Sequence, residues 1–301
     1  MNNTRAILLM TLSMAAFAGV DATIKLASRS VGPGQITAVT SAAIFLIFFT
    51  VLKLKGERFL DRSALGRVMV IRSAGEVIGS VGIIIALGLV PLSTVTVMGQ
   101  ALPLAVTVGA ALFLGERVGW RRWLAVSVGM AGVLLILRPG LAGFDANVLW
   151  VLLYIVGLGA RDLASRVLPR SVSTPFAVAW SMLALTIAGL MLLPFEGGWK
   201  PMDLPTTLDL VGMTACASVA ITLITVAMRT GEVSAVAPFR YARIIFALIV
   251  GALVFGERPD LLTLTGAAII VGSGLYTLLR QAQLQRKGRQ AAASLRPPPA
   301  L

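Results

Sequence analysis

The chain alternates between long apolar segments and short polar links. Ten segments have roughly 20 residues each, the length an α-helix needs to cross a hydrocarbon core of about 30 Å. Links as short as 90–93 and 229–232 require the helices that they join to run antiparallel. The pattern predicts an all-α integral membrane protein with ten transmembrane helices. The predicted spans are 6–27, 34–53, 67–89, 92–114, 120–138, 147–168, 175–194, 208–229, 233–255 and 261–280.

Composition agrees with this architecture and removes several kinds of chemistry. Of the 301 residues, 57% are hydrophobic and 13% are charged, against about a quarter charged in an average soluble protein. The sequence has no histidine and one cysteine, Cys216, which argues against a Cys/His metal site, a disulfide framework and a Ser-His-Asp triad. We therefore expect no metal and no cofactor, and we interpret Cys216 as a small packing residue.

Lysine and arginine indicate how the chain lies in the membrane. With the N-terminus in the cytoplasm, seventeen of them fall on the cytoplasmic side and five outside, and cytoplasmic loops carry such an excess. We therefore predict a multi-pass membrane protein with both termini cytoplasmic. The net charge of +13 does not indicate nucleic acid, since the charges lie between apolar segments. The first segment resembles a signal peptide, but its apolar character continues beyond Ala18, which favours a true span.

The sequence repeats itself at an offset of 141 residues, with no gap between the start and the end of each half. Each half holds five spans, an odd number, so the two halves should have opposite orientations. Such inverted repeats are common in secondary transporters, whose substrate site lies near the midplane between the halves. We predict two repeats around a central cavity, 1–141 and 142–281, then a basic, disordered cytoplasmic tail, 282–301. The matches are Asp21 with Asp162, Lys25 with Arg166, Ser93 with Ser234, and Gly115-Glu116-Arg117 with Gly256-Glu257-Arg258.

The repeated segments resemble a known family. In each half a Gly-Glu pair follows the fourth helix and precedes a fifth helix rich in glycine and alanine: LGERVGWRRWLAVSVGMAGVLLILRPG (114–140) and FGERPDLLTLTGAAIIVGSGLYTLLR (255–280). The segment 90–116, with its leading proline and Pro103, resembles the family's fourth helix. The chain is similar to EamA family permeases of the drug/metabolite transporter superfamily. The resemblance implies a location in the bacterial inner membrane and transport of amino acids, nucleosides, vitamins or other small metabolites.

Ionisable residues inside the spans are functional candidates, because they are costly at membrane depth. Arg72 and Glu76 are spaced i,i+4 on one face of the third span, where Gly75, Gly79 and Gly82 let a neighbouring helix approach closely. Two interpretations stay open. The pair either locks the span against its neighbours, or it forms a gate or a contact to substrate and proton. Glu76 is the candidate for proton coupling, because burial can bring a carboxyl group into the working range of pH.

The ninth span carries Arg240 and Arg243, which lie three residues apart with no acid within a turn. Their counter-charge must come from another helix or from a ligand, and a guanidinium matches carboxylate or phosphate well. Snorkelling to the membrane surface is a third interpretation. Tyr241 corresponds to Gln100 under the repeat, so both are expected to face the cavity. Gln100 and Pro103 also favour a distorted fourth helix.

Two further residues complete the substrate-binding candidates. Arg161 lies deep in the sixth span with no paired acid of its own, and Trp180 either stacks on a planar ligand or packs. Four arginines against Glu76 would give the cavity a positive surplus, which favours an anionic or zwitterionic solute such as an amino acid or derivative. The candidates are Arg72, Glu76, Gln100, Arg161, Trp180, Arg240, Tyr241 and Arg243.

Structural roles are expected for the other repeated charges. The i,i+4 pairs Asp21 with Lys25 and Asp162 with Arg166 should close or orient the helix ends. Glycine ends a helix readily, so the two Gly-Glu-Arg triplets should mark turns. The expected turn residues are Glu116, Arg117, Glu257 and Arg258.

We interpret the sequence as that of a secondary transporter working by alternating access, and not as that of an enzyme. The sequence contains no Gly-Lys-Ser phosphate loop and no Gly-x-Gly-Asp of an aspartyl intramembrane protease. The alternatives are an uptake permease for riboflavin or S-adenosylmethionine-like compounds and a non-transport membrane protein. GWRRW with RPG, and Arg161-Asp162, resemble a bacterial subgroup of such permeases. Expected partners are a small-molecule solute, a proton or other coupling ion and the lipid bilayer; a homodimer stays open, and nucleic acid is not expected.

Overall fold

The computed structural model describes residues 3–59, 66–116, 119–138, 145–169, 171–230 and 236–294, which are almost entirely helical. Ten stretches in this part of the chain are helices long and apolar enough to cross a membrane, as the sequence predicts. Short 3₁₀ turns occur at Ala146–Val148, Leu193–Glu196 and Ala237–Tyr241. The α-helices are α1 (Asn3–Ala27), α2 (Pro33–Leu54), α3 (Arg67–Leu89), α4 (Leu92–Gly99), α5 (Leu102–Phe113), α6 (Trp120–Leu137), α7 (Leu149–Val167), α8 (Thr174–Leu192), α9 (Leu204–Thr230), α10 (Ala242–Phe255) and α11 (Leu261–Ser294).

The most extensive helix contacts join the first half of the chain to the second. Helix α1 packs on α9, α3 on α7, α2 on α8, and α6 on α11. Under the 141-residue offset the contact of α1 with α9 corresponds to that of α7 with α3, while the other two contacts correspond to themselves. A two-fold axis between the halves would exchange the first two contacts and leave the other two unchanged. The packing therefore supports the expected repeat.

The fourth span is broken near its middle, as Gln100 and Pro103 predict. Helix α4 ends at Gly99 and α5 begins at Leu102, with turn-like hydrogen bonds from the Gln100 amide to the Val97 carbonyl (3.1 Å) and from Ala101 to Met98 (2.9 Å). Pro103 has no N–H to offer the carbonyl of Gly99 one turn earlier, so a regular helix cannot continue. The ninth span is irregular too, since the 3₁₀ turn Ala237–Tyr241 precedes α10.

Glycines bring α3 and α7 into backbone contact, as the spacing of Gly75, Gly79 and Gly82 predicts. A Cβ atom on Gly157 would lie 2.4 Å from the Gly79 amide nitrogen, and one on Gly75 would lie 2.7 Å from that of Arg161. Small residues at such crossings allow the close packing on which helix association in membranes depends.

The last helix corrects one boundary. Helix α11 continues to Ser294, so the prediction of a disordered tail is wrong for residues 282–294. This segment consists mostly of Ala, Gln, Leu, Lys and Arg, all of which favour helix, and nothing in it stops the helix. Residues 295–301 lie outside the described part.

The helix bundle has two ends. We call the end where α1 begins the terminal end. The far end is the opposite one, where α1, α3, α6 and α10 finish. Large apolar side chains such as Leu112, Phe113 and Leu253 are exposed on the outer surface between these ends, where a transmembrane bundle meets lipid.

Candidate functional site

Both Gly-Glu-Arg triplets end a helix in the same way. Gly115 and Gly256 follow α5 and α10 with φ +65°, a left-handed conformation that glycine adopts without strain. The next amide reaches back six residues, from Glu116 to the Ala110 carbonyl (3.1 Å) and from Glu257 to the Gly251 carbonyl (2.9 Å). This is the glycine-terminated helix end that the sequence predicts. Arg117 lies outside the described residues, and Arg258 is exposed at the far end.

Glu257 does more than end a helix. Its carboxylate accepts hydrogen bonds from the amides of Leu92 (2.6 Å) and Ser93 (3.0 Å) and from the Ser93 hydroxyl (2.8 Å), at the N-terminus of α4. Lys25 Nζ lies 3.2 Å from the same carboxylate and donates to the Val90 carbonyl (2.8 Å). Burial raises the pKa of Glu257, but these hydrogen bonds and Lys25 outweigh it and hold the pKa below the ordinary value. We call Lys25, Ser93 and Glu257 the far-end lock.

The predicted pairs within one helix turn are wrong. Lys25 pairs with Glu257 instead of Asp21, and Arg166 lies 3.5 Å from Glu116 instead of binding Asp162. The buried carboxylate of Glu257 needs several donors, and the packing of α1 and α4 supplies them. Asp162 pairs instead with its neighbour Arg161.

A cluster of three charges lies inside the bundle at the contact between α3 and α7. Arg161 Nη1 lies 3.2 Å from Glu76 Oε1, while its Nε and Nη2 donate to Asp162 Oδ1 at 2.9 and 2.8 Å. Glu76 is buried near the middle of α3, whereas Arg161 and Asp162 stay partly exposed. We call Glu76, Arg161 and Asp162 the α3–α7 charge cluster.

Arg72 does not pair with Glu76, contrary to the first interpretation of their spacing. Its guanidinium is buried and donates to the Ser165 hydroxyl (3.1 Å), the Ala177 carbonyl (2.8 Å) and the Ser181 hydroxyl. The side chain thus ties α3 to α7 and α8. Neutral oxygens of three residues on α7 and α8 accept the hydrogen bonds of Arg72. Glu76 can therefore pair with Arg161.

Arg243 also finds its partner on another helix. Its Nε and Nη2 donate to Asp21 on α1 at 3.1 and 2.6 Å, and the Thr96 hydroxyl donates to the same carboxylate at 3.3 Å. Asp21 is fully buried, so the predicted positive surplus is wrong. Three deep arginines, Arg72, Arg161 and Arg243, stand against three acids: Asp21, Glu76 and Asp162.

The remaining candidates are dispersed. Arg240 is exposed in the 3₁₀ turn before α10 and has no ion-pair partner among the described residues. Tyr241 is buried, with its hydroxyl against Gly274. Gln100 lies at the break between α4 and α5. Trp180 stacks on Phe59, with ring centroids 4.7 Å apart, and donates its indole N–H to the Phe59 carbonyl, which favours the packing interpretation.

The sequence did not indicate one further contact at the far end. Arg138, which follows α6, pairs with Asp260, which precedes α11. Asp260 also accepts from the Thr263 amide (2.9 Å) and so caps α11. The arginine and the cap lower the pKa of Asp260 to about 2. Both residues line a cavity of about 370 Å³ beside the far-end lock.

The fold and the sequence both have known relatives. The family model described as EamA-like transporter family matches the chain twice, over residues 4–138 and 146–279. A protein of known crystal structure covers 94% of this chain and 99% of its own with a TM-score of 0.58 at 19% identity, which indicates a shared fold.

Named relatives transport different compounds. An S-adenosylmethionine uptake transporter of Rickettsia bellii is 25% identical over 67% of this chain and 68% of its own length. A riboflavin transporter of Rhizobium johnstonii is 29% identical over 67% and 66%. The pseudopaline exporter CntI of Pseudomonas aeruginosa is 26% identical over 88% and 93%. With two matches that together span nearly the whole chain, this multi-pass membrane protein belongs to the EamA-like transporter family.

Proposed function

We propose that this protein is a secondary transporter that moves a small polar metabolite across the bacterial inner membrane by alternating access, with both termini cytoplasmic. The α3–α7 charge cluster is the observation that supports this most. Asp162 lies about 8 Å along the helix axis from the end of α7 and remains partly exposed. An ionised carboxylate facing hydrocarbon is costly, so the cluster should face an aqueous cavity.

The cluster presents both signs of charge, which favours a zwitterion over a simple anion. The Arg161 guanidinium has N–H groups beyond those that bind Asp162 and Glu76 and can donate them to a substrate carboxylate. Asp162 Oδ1 binds Arg161, and the carboxylates of Asp162 and Glu76 suit a substrate ammonium group. We propose that these three residues bind the solute, with Arg72 holding α7 and α8 in place.

A second candidate is narrower: uptake of S-adenosylmethionine or a riboflavin-like cofactor. The names of two relatives favour it. S-adenosylmethionine carries an α-amino acid group, so the same cluster would bind its ammonium and carboxylate. The name of the pseudopaline exporter, which is similar over more of the chain, favours export instead.

The test is exchange in proteoliposomes. Vesicles loaded with a labelled amino acid, S-adenosylmethionine or riboflavin are diluted into the same compound or into the others, with and without a pH gradient. We expect saturable exchange of a zwitterionic compound above that of protein-free vesicles, and an effect of the pH gradient if protons are coupled. No exchange by any of the three classes would contradict the proposal.

A further inference from the structure

Matched residues of the two halves differ systematically in their surroundings. The Lys25 side chain is 17% exposed and its counterpart Arg166 is 49% exposed; for Glu257 and Glu116 the values are 9% and 42%. Asp21 is 2% exposed and Asp162 is 39% exposed. In each case the buried member lies on the far-end side and the exposed member on the terminal side. The matched charges are therefore more deeply buried on the far-end side than on the terminal side.

The contacts themselves differ in the same sense. At the far end, Glu257 of the second half holds Lys25 on α1 and the N-terminus of α4, both in the first half. At the terminal end, Glu116 of the first half lies 3.5 Å from Arg166 of the second half, with the two side chains 42% and 49% exposed. Ser234, the counterpart of Ser93, lies outside the described residues. Each contact crosses between the halves, and the 141-residue offset converts one into the other.

We propose that these two contacts are alternating gates, an inference that rests on the proposed transport function. Lys25 and Glu257 close the far end in this structure, and Glu116 and Arg166 close the terminal end in the opposite state. If the two halves exchange conformations, Glu116 and Arg166 become buried, while Lys25 and Glu257 become as exposed as Arg166 and Glu116 are in this structure. The glutamate of each Gly-Glu-Arg triplet is thus a gating residue as well as part of a turn.

The chemistry suits a reversible lock. A carboxylate at a helix N-terminus gains from the unpaired amides and the helix dipole. When the gate opens, water replaces these donors, so the net cost of opening is far smaller than the gross strength of the contacts. Each gate pairs one glutamate with one basic residue, so neither state gains a charge pair that the other lacks.

The far end offers a matched control. Arg138 and Asp260 form an ion pair that also joins the two halves there, but the 141-residue offset places Leu279 and Gly119 at the matching positions. This pair joins α6 to α11, whose contact corresponds to itself under the offset, so we expect the pair to persist in both states. Its loss should lower the stability of the fold without favouring either state.

Thiol labelling in detergent tests the proposal without a substrate. In a Cys216→Ser background, a single reporter cysteine replaces either Thr96, buried beside Asp21, or Ser165, exposed near Arg161. The rate of reaction with a charged maleimide is measured for Glu257→Gln, Lys25→Met, Glu116→Gln and Asp260→Asn. Gel filtration and thermal unfolding confirm that each variant is folded.

We expect Glu257→Gln and Lys25→Met to speed labelling at residue 96 roughly tenfold, the change expected for loss of a hydrogen bond to a charged group, and to slow labelling at residue 165. Glu116→Gln should not speed labelling at residue 96 or slow it at residue 165, and Asp260→Asn should leave the ratio of the two rates unchanged. Equal changes in the labelling rate at both reporter cysteines, or no change at either, would overturn the proposal that these contacts are gates. If labelling becomes faster at residue 96 and slower at residue 165 but the protein exchanges no solute, only the proposed transport function is refuted.

Discussion

The carboxylate of Asp21 on α1 accepts hydrogen bonds from both Nε and Nη2 of Arg243 on α10. This ion pair joins the two halves of the chain in the interior, and the Phe17 ring lies 5.3 Å from the Arg243 guanidinium. Neither residue has a charged partner on its own helix within one turn that competes for it in the fold.

Removing one member of this pair should be more damaging than removing both. Asp21→Asn leaves the Arg243 charge uncompensated, and we expect a loss of about 3–5 kcal/mol in the free energy of unfolding. The double variant Asp21→Asn/Arg243→Met should recover part of that loss, since neither buried charge remains. The measurement is a double-mutant cycle of unfolding in detergent.

Asp145→Asn serves as the control for that cycle, because an amide oxygen can keep the bond that Asp145 Oδ1 accepts from the Asn147 amide. It should be close to neutral. Additive effects of the two single substitutions would show that Asp21 and Arg243 do not act as a pair.

Transport should depend on Arg161 and Asp162 but not on Arg240. We expect Arg161→Met and Asp162→Asn to raise the KM of a zwitterionic solute tenfold or more, because each removes a hydrogen bond to a charged group. Arg240→Met is the matched control, as Arg240 is exposed and outside the cluster. Initial rates of exchange in proteoliposomes measure this. Equal effects of Arg161→Met and Arg240→Met would remove the charge cluster from the solute site.

Two glycines on α7 should respond oppositely to the same substitution. A Cβ on Gly157 would lie 2.4 Å from the Gly79 amide nitrogen, whereas one on Gly159 meets only the Leu102 side chain at 3.8 Å. Gly157→Ala should destabilise by about 1–3 kcal/mol through overpacking. Gly159→Ala should be neutral or gain up to about 1 kcal/mol from helix propensity. Unfolding in detergent separates them, and similar behaviour would contradict the close approach of α3 and α7.

Low pH should lower the stability of the fold through Asp260, which lies at the far end. The folded-state pKa is about 2, against 3.8 for the free group. A depressed pKa contributes stability that is present above pH 3.8 and is lost as the pH falls toward 2. The loss in melting temperature between pH 6 and pH 3 should therefore be smaller in Asp260→Asn, which keeps the cap on α11 but not the charge. Asp203→Asn tests a cap of the same kind, bonded to Thr206 without an arginine, and should change the pH dependence less.

Several features followed from the pattern of residues alone because they depend on neighbours in the chain. The ten spans follow from runs of apolar residues of membrane length, and the break after Gly99 from the amide that Pro103 lacks. The ends of α5 and α10 follow from glycine, and the close approach of α3 and α7 from glycines spaced along one face. The continuation of α11 past residue 281 was missed because a basic, polar composition is compatible with both helix and disorder.

Ion-pair partners could not be found in this way. The spacing of Arg72 with Glu76 and of Asp21 with Lys25 suggested pairs within a helix, yet Glu76 binds Arg161 and Asp21 binds Arg243. A charge buried among helices is satisfied by whichever donors the packing places around it. Those donors come from segments that are distant in sequence.

The sequence by itself determined the spans, the 141-residue repeat and the turns, since hydrophobic length and glycine conformation are local properties. Only the tertiary structure decided that Glu257 is buried against Lys25 and Ser93 while its counterpart Glu116 is 42% exposed. The 141-residue offset matches glutamate with glutamate here, so nothing in the two triplets distinguishes them. Their burial differs because it depends on which neighbours the packing of distant helices places around each side chain.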